Sequence, residues 1–131
     1  MKRLVILTAI AITVVGFSNK NPSNEKLLKA IHQVESSGKT GKIIGDSGKA
    51  LGPLQIHYEN WKDATEFDKT IGGKYSDCQD LKYSTKVFNA YIKKYADNKS
   101  AEYKARTWNG GPNGASKSST KQYWAKVKAN L

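Results

Sequence analysis

Cysteine is almost missing from this chain: Cys78 stands alone among 131 residues. A lone cysteine cannot close an intrachain disulfide, so the core must hold together without covalent staples. Such a thiol can be buried and inert, paired with another chain, or exposed and reactive; the first is expected here. Histidine is nearly as scarce. With only His32 and His57, and no recurring Cys or His spacing, neither a metal nor a cofactor is expected. Serines are present, but none sits in a Gly-x-Ser-x-Gly elbow, and Lys49 beside Ser47 is a weak nucleophile-base pair. There is no internal repeat, no low-complexity block and no domain-splitting linker after residue 21. What remains is one domain's worth of sequence, with three Trp and seven Tyr to build a core.

Acidic residues are outnumbered, eleven against twenty-two basic ones, giving a formal net charge of +11. The apolar run Leu4 to Phe17 falls short of the roughly 20 residues of a comfortable membrane span. Lys2 and Arg3 precede it and Ser18-Asn19-Lys20-Asn21 follows, which is the layout of a secretory signal over residues 1–18, with cleavage expected after Ser18. The alternative is an uncleaved anchor. In both cases the catalytic-sized domain, residues 19–131, is expected to be exported, secreted or periplasmic, with no stable membrane span once the signal is removed. Losing two of the twenty-two basic residues with the leader lowers the net charge from +11 to +9. An anionic polymer is the expected partner. Nucleic acid is not expected, because the lysines are scattered and no zinc-finger, RNP-type or homeodomain pattern occurs. Anionic envelope polymers fit export better, while a merely solubilising lysine surface stays open as the plain reading.

Apolar periodicity predicts a mostly helical domain with one small β-hairpin. Asn21-Pro22-Ser23 starts a helix whose stripe Leu27, Leu28, Ile31 and Val34 ends at Ser36-Ser37-Gly38, predicting a helix over 23–37. Gly45-Asp46-Ser47-Gly48, between Lys42-Ile43-Ile44 and Lys49-Ala50-Leu51, predicts the hairpin, broken by Gly52-Pro53. A short helix is expected within 54–67 and a long core helix over 79–96, from Leu81, Ser84, Val87, Phe88, Tyr91, Ile92 and Tyr95. Another is expected over 100–108, then a turn at Asn109-Gly110-Gly111-Pro112-Asn113-Gly114, then a last helix capped by Thr120.

Glu35 falls four residues after Ile31 and seven after Leu28, so it projects near the apolar stripe in the last turn of the first helix. An apolar setting raises a carboxyl pKa, and glycosidic cleavage needs a carboxyl that is still protonated near neutral pH. The plain alternative is a helix-end Glu turned to solvent. Asp46, at the hairpin tip, is the candidate second carboxylate, able to trap or stabilise an oxocarbenium-like centre. Alternatively it is an Asx-turn residue bonded to Gly48. Gln55, His57 and Tyr58 offer amide, imidazole and aromatic surface to a sugar, with Trp61 more at home in the core. Asn109 is either a groove amide or a cap.

Three blocks in register resemble the invertebrate-type, destabilase-like lysozymes. They are Ile31-His32-Gln33-Val34-Glu35-Ser36-Ser37-Gly38; Gly45-Asp46-Ser47-Gly48 with Gly52-Pro53-Leu54-Gln55-Ile56 and Trp61-Lys62-Asp63; and Ala105 through Gly114 followed by Tyr123-Trp124-Ala125-Lys126-Val127. The resemblance implies an α+β, predominantly helical lysozyme-like fold. It also implies a muramidase that acts on the glycan strands of bacterial peptidoglycan, with Glu35 protonating the leaving oxygen and Asp46 as nucleophile or stabiliser. Gln55, His57, Tyr58, Trp108 and Asn109 are the expected substrate-binding residues. The chain departs from the family pattern in its near-absence of cysteine, in Trp108 where relatives often carry His, and in Lys49 where some place a second Ser. The last two changes weaken any isopeptidase expectation. Glu-Ser-Ser-Gly with a Gln-Ile segment and an Asn-Gly turn also resembles lytic transglycosylases, in which one Glu can suffice. From a different class, a catalytically silent cationic protein that binds or permeabilises envelopes fits the charge alone.

Overall fold

The computed structural model describes residues 21–131, so the leader expected over 1–18 lies outside the described residues. Helix α1 (Asn24–Ser36) begins where Ser23, in extended conformation, accepts a hydrogen bond from the Lys26 N–H at 3.3 Å. It ends at Ser37, whose left-handed φ of 58° lets the Ser37 and Gly38 N–H groups turn back to the carbonyls of Gln33 and His32. Leu27, Ala30 and Ile31 are its buried stripe.

The expected hairpin is present but larger than predicted. Strands β1 (Ile44–Gly45), β2 (Ala50–Leu51) and β3 (Ile56–His57) form a three-stranded antiparallel sheet in that order, with Ile44 opposite Leu51 and Leu51 opposite Ile56. Gly52-Pro53 therefore redirects the chain rather than ending the sheet. Gly52 at φ 77° and Gln55 at φ 50° make the tight return, and a Cβ at Gly52 would lie 1.8 Å from the Cys78 carbonyl oxygen. Tyr75 Oη locks the return by donating to the Ile56 carbonyl at 2.6 Å.

Helix α2 (Tyr58–Phe67) consequently starts four residues later than expected. The long helix α3 (Leu81–Ala96) is capped by Asp80, whose Oδ1 accepts from the Tyr83 N–H at 2.8 Å. Helix α4 (Ala101–Gly110), capped by Ser100, contacts α1, α3 and α5 (Lys121–Ala129) and is the hub of the packing. Leu27, Ile31, Leu54, Ile56, Val87, Phe88, Tyr91, Trp108 and Val127 fill the single core around it. Cys78 joins that core as a free, buried thiol, and its burial pushes the pKa up to about 12. Among the described residues no helix is long and apolar enough to cross a membrane.

Two further expectations are corrected. Asn109 and Gly110 belong to the last turn of α4, so the tight turn begins only at Gly111, at φ 87°. Thr120 does not cap α5 with its side chain. Its hydroxyl instead accepts from Arg106 Nε at 2.8 Å and lies 2.7 Å from the Gly114 carbonyl, while Arg106 Nη2 donates to the Lys117 carbonyl. One buried guanidinium thus holds the whole Gly111–Thr120 loop against α4.

Candidate active site

The end of α1, the sheet, the start of α2 and the end of α4 surround a cleft of ≈ 440 Å³. Glu35 enters it from the last turn of α1. The next residue fixes that turn, because Ser36 Oγ donates to the Pro53 carbonyl at 2.8 Å and ties α1 to the β2–β3 return. The Glu35 carboxyl is half-buried, and its Oε1 accepts a hydrogen bond from Tyr123 Oη of α5 at 2.8 Å. Burial disfavours the charged form and raises the pKa from its ordinary 4.5 to about 7; the Tyr123 bond opposes this by stabilising the carboxylate. Near neutrality, then, Glu35 holds a proton that it can still give up. The Tyr123 hydroxyl is held well above its ordinary range by burial first, and then by the Glu35 charge and hydrogen bond, so it remains a donor.

Asp46 reaches the same cleft from the β1–β2 turn. Its backbone carbonyl closes that turn, accepting from the Lys49 N–H at 3.1 Å, which leaves the carboxylate available. The carboxylate Oδ2 lies 3.3 Å from His57 Nε2, with both side chains well exposed. The backbone here is strained. Asp46, Ser47 and Gln55 all have positive φ, at 48°, 54° and 50°, a region that costs a non-glycine residue about 1–2 kcal/mol. Asp46 and Gln55 line the cleft and Ser47 adjoins it, so the strain is concentrated where geometry has a use.

The other expected site residues fare unequally. Gln55 lines the cleft, but its amide is already engaged: Nε2 donates to the Gly52 carbonyl at 2.9 Å, and Oε1 lies where a Cβ on Gly45 would be, 1.9 Å away. His57 lines the cleft beside Asp46, and Asn109 is exposed at its edge. Trp108 also touches the cleft, yet it is a core residue at 4% exposure, packed edge-on against Phe88 and Tyr91 with centroids 5.0 and 5.6 Å apart. Tyr58 is not among the lining residues. Helical i,i+3 spacing sets it against Trp61, and its ring meets Trp61 and Tyr75 at 5.4 Å in an aromatic cluster. Trp61 itself is packed there, its Nε1 donating to Tyr83 Oη at 2.9 Å.

Sequence reasoning missed three contributors. Glu59 and Asn60 line the cleft from the first turn of α2, inside the Gln55–Trp61 run that offers amides and aromatics to a groove but not among the residues singled out from it. Tyr123 stands in the last of the resembling blocks, but nothing in the sequence pairs it with Glu35, 88 residues away. The Asp46–His57 pair gains no third ligand: among the described residues no group of three or more His, Cys, Asp or Glu side chains could hold a metal ion.

Comparison with known proteins finds lysozymes of similar fold. The crystal structure of Tapes japonica lysozyme superposes with a TM-score of 0.68 at 30% identity, covering 82% of this chain and 92% of that one. A crystal structure of inhibitor-bound lysozyme from Meretrix lusoria gives 0.68 at 27% identity, over 80% and 88% of the two chains. A complex of Aeromonas hydrophila PliI with the Meretrix lusoria lysozyme gives 0.69 at 27% identity, over the same shares. No curated protein matches by sequence. The sequence model of the transglycosylase SLT domain matches residues 16–131. With that match across most of its length, and lysozymes as its structural neighbours, the chain belongs to the lysozyme-like transglycosylase SLT domain family.

Proposed function

We propose that the protein is a peptidoglycan-cleaving muramidase that hydrolyses the β-1,4 bond between N-acetylmuramic acid and N-acetylglucosamine. The observation that carries this reading is the pair of unlike carboxyl groups in one cleft: Glu35, half-buried and raised to about 7, and Asp46, exposed on a strained turn. Glu35 gives its proton to the glycosidic oxygen as the bond to the anomeric carbon breaks. Asp46 meets the positive charge that develops there, as nucleophile or as electrostatic stabiliser. Water then adds to the anomeric carbon, displacing the Asp46 carboxylate where that has bonded there, and returns a proton to Glu35, leaving a reducing end.

The family match supports a second reading, a lytic transglycosylase. In that case Glu35 acts alone, the muramoyl C6 hydroxyl replaces water as the attacking group, and the product carries a 1,6-anhydro end. Mass spectrometry of the released muropeptides separates the two, reducing ends supporting the hydrolase and anhydro ends the transglycosylase. On either route Glu35→Gln is expected to lower turnover of purified cell walls by about 100-fold or more, the range of a general acid. Wall clearance at the wild-type rate by Glu35→Gln would end both. Activity on walls requires export, for which the leader over residues 1–18 is proposed, and the +9 charge of the remaining chain would hold the enzyme on anionic envelope polymers. Killing that survives Glu35→Gln yet disappears in high salt would instead identify a non-catalytic cationic protein.

A further inference from the structure

Glu35 and Asn109 line two cavities, not one. On one side is the cleft with Asp46; on the other is a groove of ≈ 360 Å³ bounded by Val34, Ser119, Gln122, Tyr123 and Lys126. Gln122, Tyr123 and Lys126 recur at the i,i+3 and i,i+4 spacing that brings side chains to one face of α5. The two spaces share Glu35 and Asn109, so a linear chain with its scissile bond beside Glu35 would have the groove next to it as well as the cleft.

The two spaces differ in charge. The cleft carries the carboxyl groups of Glu35, Asp46 and Glu59 and no Lys or Arg, in a chain with twenty-two basic residues. The groove has Lys126, and no acid besides the shared Glu35. Lys126 forms no ion pair among the described residues, and it lies in the last turn of α5, where the helix dipole favours a cation. An unpaired ammonium group in a polar groove next to the proposed proton donor suits an anionic part of the substrate.

We propose that Lys126 is a specificity residue: it pairs with a carboxylate borne by the glycan beyond the scissile bond, and so favours acid-bearing strands over neutral ones. The proposal rests on the muramidase reading, because Glu35 marks the point of cleavage. In peptidoglycan the carboxylate comes from the free lactyl group of stem-free muramic acid or, where that carboxyl is amide-linked to a peptide stem, from the stem itself, whereas N-acetylglucosamine has none.

The test compares wild type, Lys126→Met and a control, Lys128→Met, which removes the same charge from α5 outside the groove. Three soluble substrates are used: chitohexaose, peptide-free N-acetylglucosamine–N-acetylmuramic acid oligomers, and the same oligomers with stems. Lys126→Met is expected to raise KM about three- to tenfold on acid-bearing oligomers, the scale of an ion pair in a polar groove. Chitohexaose cleavage stays unchanged, and Lys128→Met shifts KM by less than twofold on any substrate. An effect confined to stem-bearing oligomers assigns the carboxylate to the peptide; one confined to peptide-free oligomers assigns it to the lactyl group, whose carboxyl the stem converts to a neutral amide; an effect on both shows that Lys126 accepts either carboxylate. Equal loss on chitohexaose, or no change on either acid-bearing substrate, overturns the proposal. Binding titrations of the same oligomers in the Glu35→Gln background keep the two readings apart. Absence of cleavage by wild type would defeat the muramidase reading, while equal binding of neutral and acid-bearing oligomers would defeat the role of Lys126.

Discussion

At the scale of single residues, Glu35 and Tyr123 set a compromise between proton donation and stability. A carboxyl whose pKa rises from 4.5 to about 7 on folding keeps its proton in the native state while the unfolded chain has already lost it. The native state is therefore penalised progressively as pH rises from 4.5 through 7, by about 3 kcal/mol once both states are ionised. Tyr123 limits that penalty, since its hydroxyl donates to the carboxylate and lowers the Glu35 pKa. Tyr123→Phe removes the donor but leaves the ring in place. The Glu35 pKa then rises further, and the alkaline limb of the kcat/KM profile is expected to move upward by roughly half to one pH unit. A titration of activity across pH 5–9 in both proteins checks this; an alkaline limb that stays in place or moves downward would mean that Tyr123 does not tune Glu35.

Elements position these residues through turns, and glycines at the turns differ in what they tolerate. At Gly52 an added Cβ would lie 1.8 Å from the Cys78 backbone oxygen, with φ at 77°, so neither neighbour nor backbone can yield cheaply. At Gly45 the 1.9 Å clash is with Oε1 of Gln55, the far end of a flexible side chain. Gly52→Ala is therefore expected to destabilise the fold by about 3 kcal/mol or more, and Gly45→Ala by about 1 kcal/mol, mostly through loss of the Gln55–Gly52 bond. Urea unfolding of the two variants checks the order, which a single common shift would contradict. The same turns explain what was legible beforehand. The stripes of α1 and α3 follow from periodicity because each buries one continuous face, but position at the end of such a stripe leaves Glu35 equally open to a solvent-turned helix end, and only the neighbouring blocks point it into a site. A two-residue strand such as β3 shows no alternation, so Ile56 and His57 passed for helix and the faces of Tyr58 and Glu59 were misplaced with them. Trp108 was legible as an aromatic near the site but not as a core residue, since its partners Phe88 and Tyr91 come from another helix. The in-register blocks around Glu35, Asp46 and Asn109 carried more of the site than periodicity did.

For the molecule as a whole, the question is what takes the place of disulfides in a chain with one cysteine. Long-range polar clasps do part of it. Arg106 and Thr120 bind the Gly111–Thr120 loop to α4, Gln79 Oε1 accepts from the Ile43 N–H at 2.7 Å, and Tyr75 bridges to the sheet. Each joins segments that are distant in sequence, yet none constrains the unfolded chain as a covalent bridge would. Stability therefore depends on the shared core, and Cys78 reports on it. Its thiol is fully buried, pushed up to about 12, and anchored in its turn by Ser84 Oγ donating to its carbonyl at 2.7 Å. A thiol so raised presents almost no thiolate at pH 8, and no reagent reaches it in the native state. Labelling with a thiol reagent at pH 8 is thus expected to proceed only through opening of the core, its rate rising with urea in step with global unfolding. Reductant should leave the unfolding midpoint unchanged. Rapid, urea-independent labelling would show instead that the Tyr75–Gln79 segment opens by itself, and that the sheet side of the cleft is less firmly joined to the helices than this packing implies.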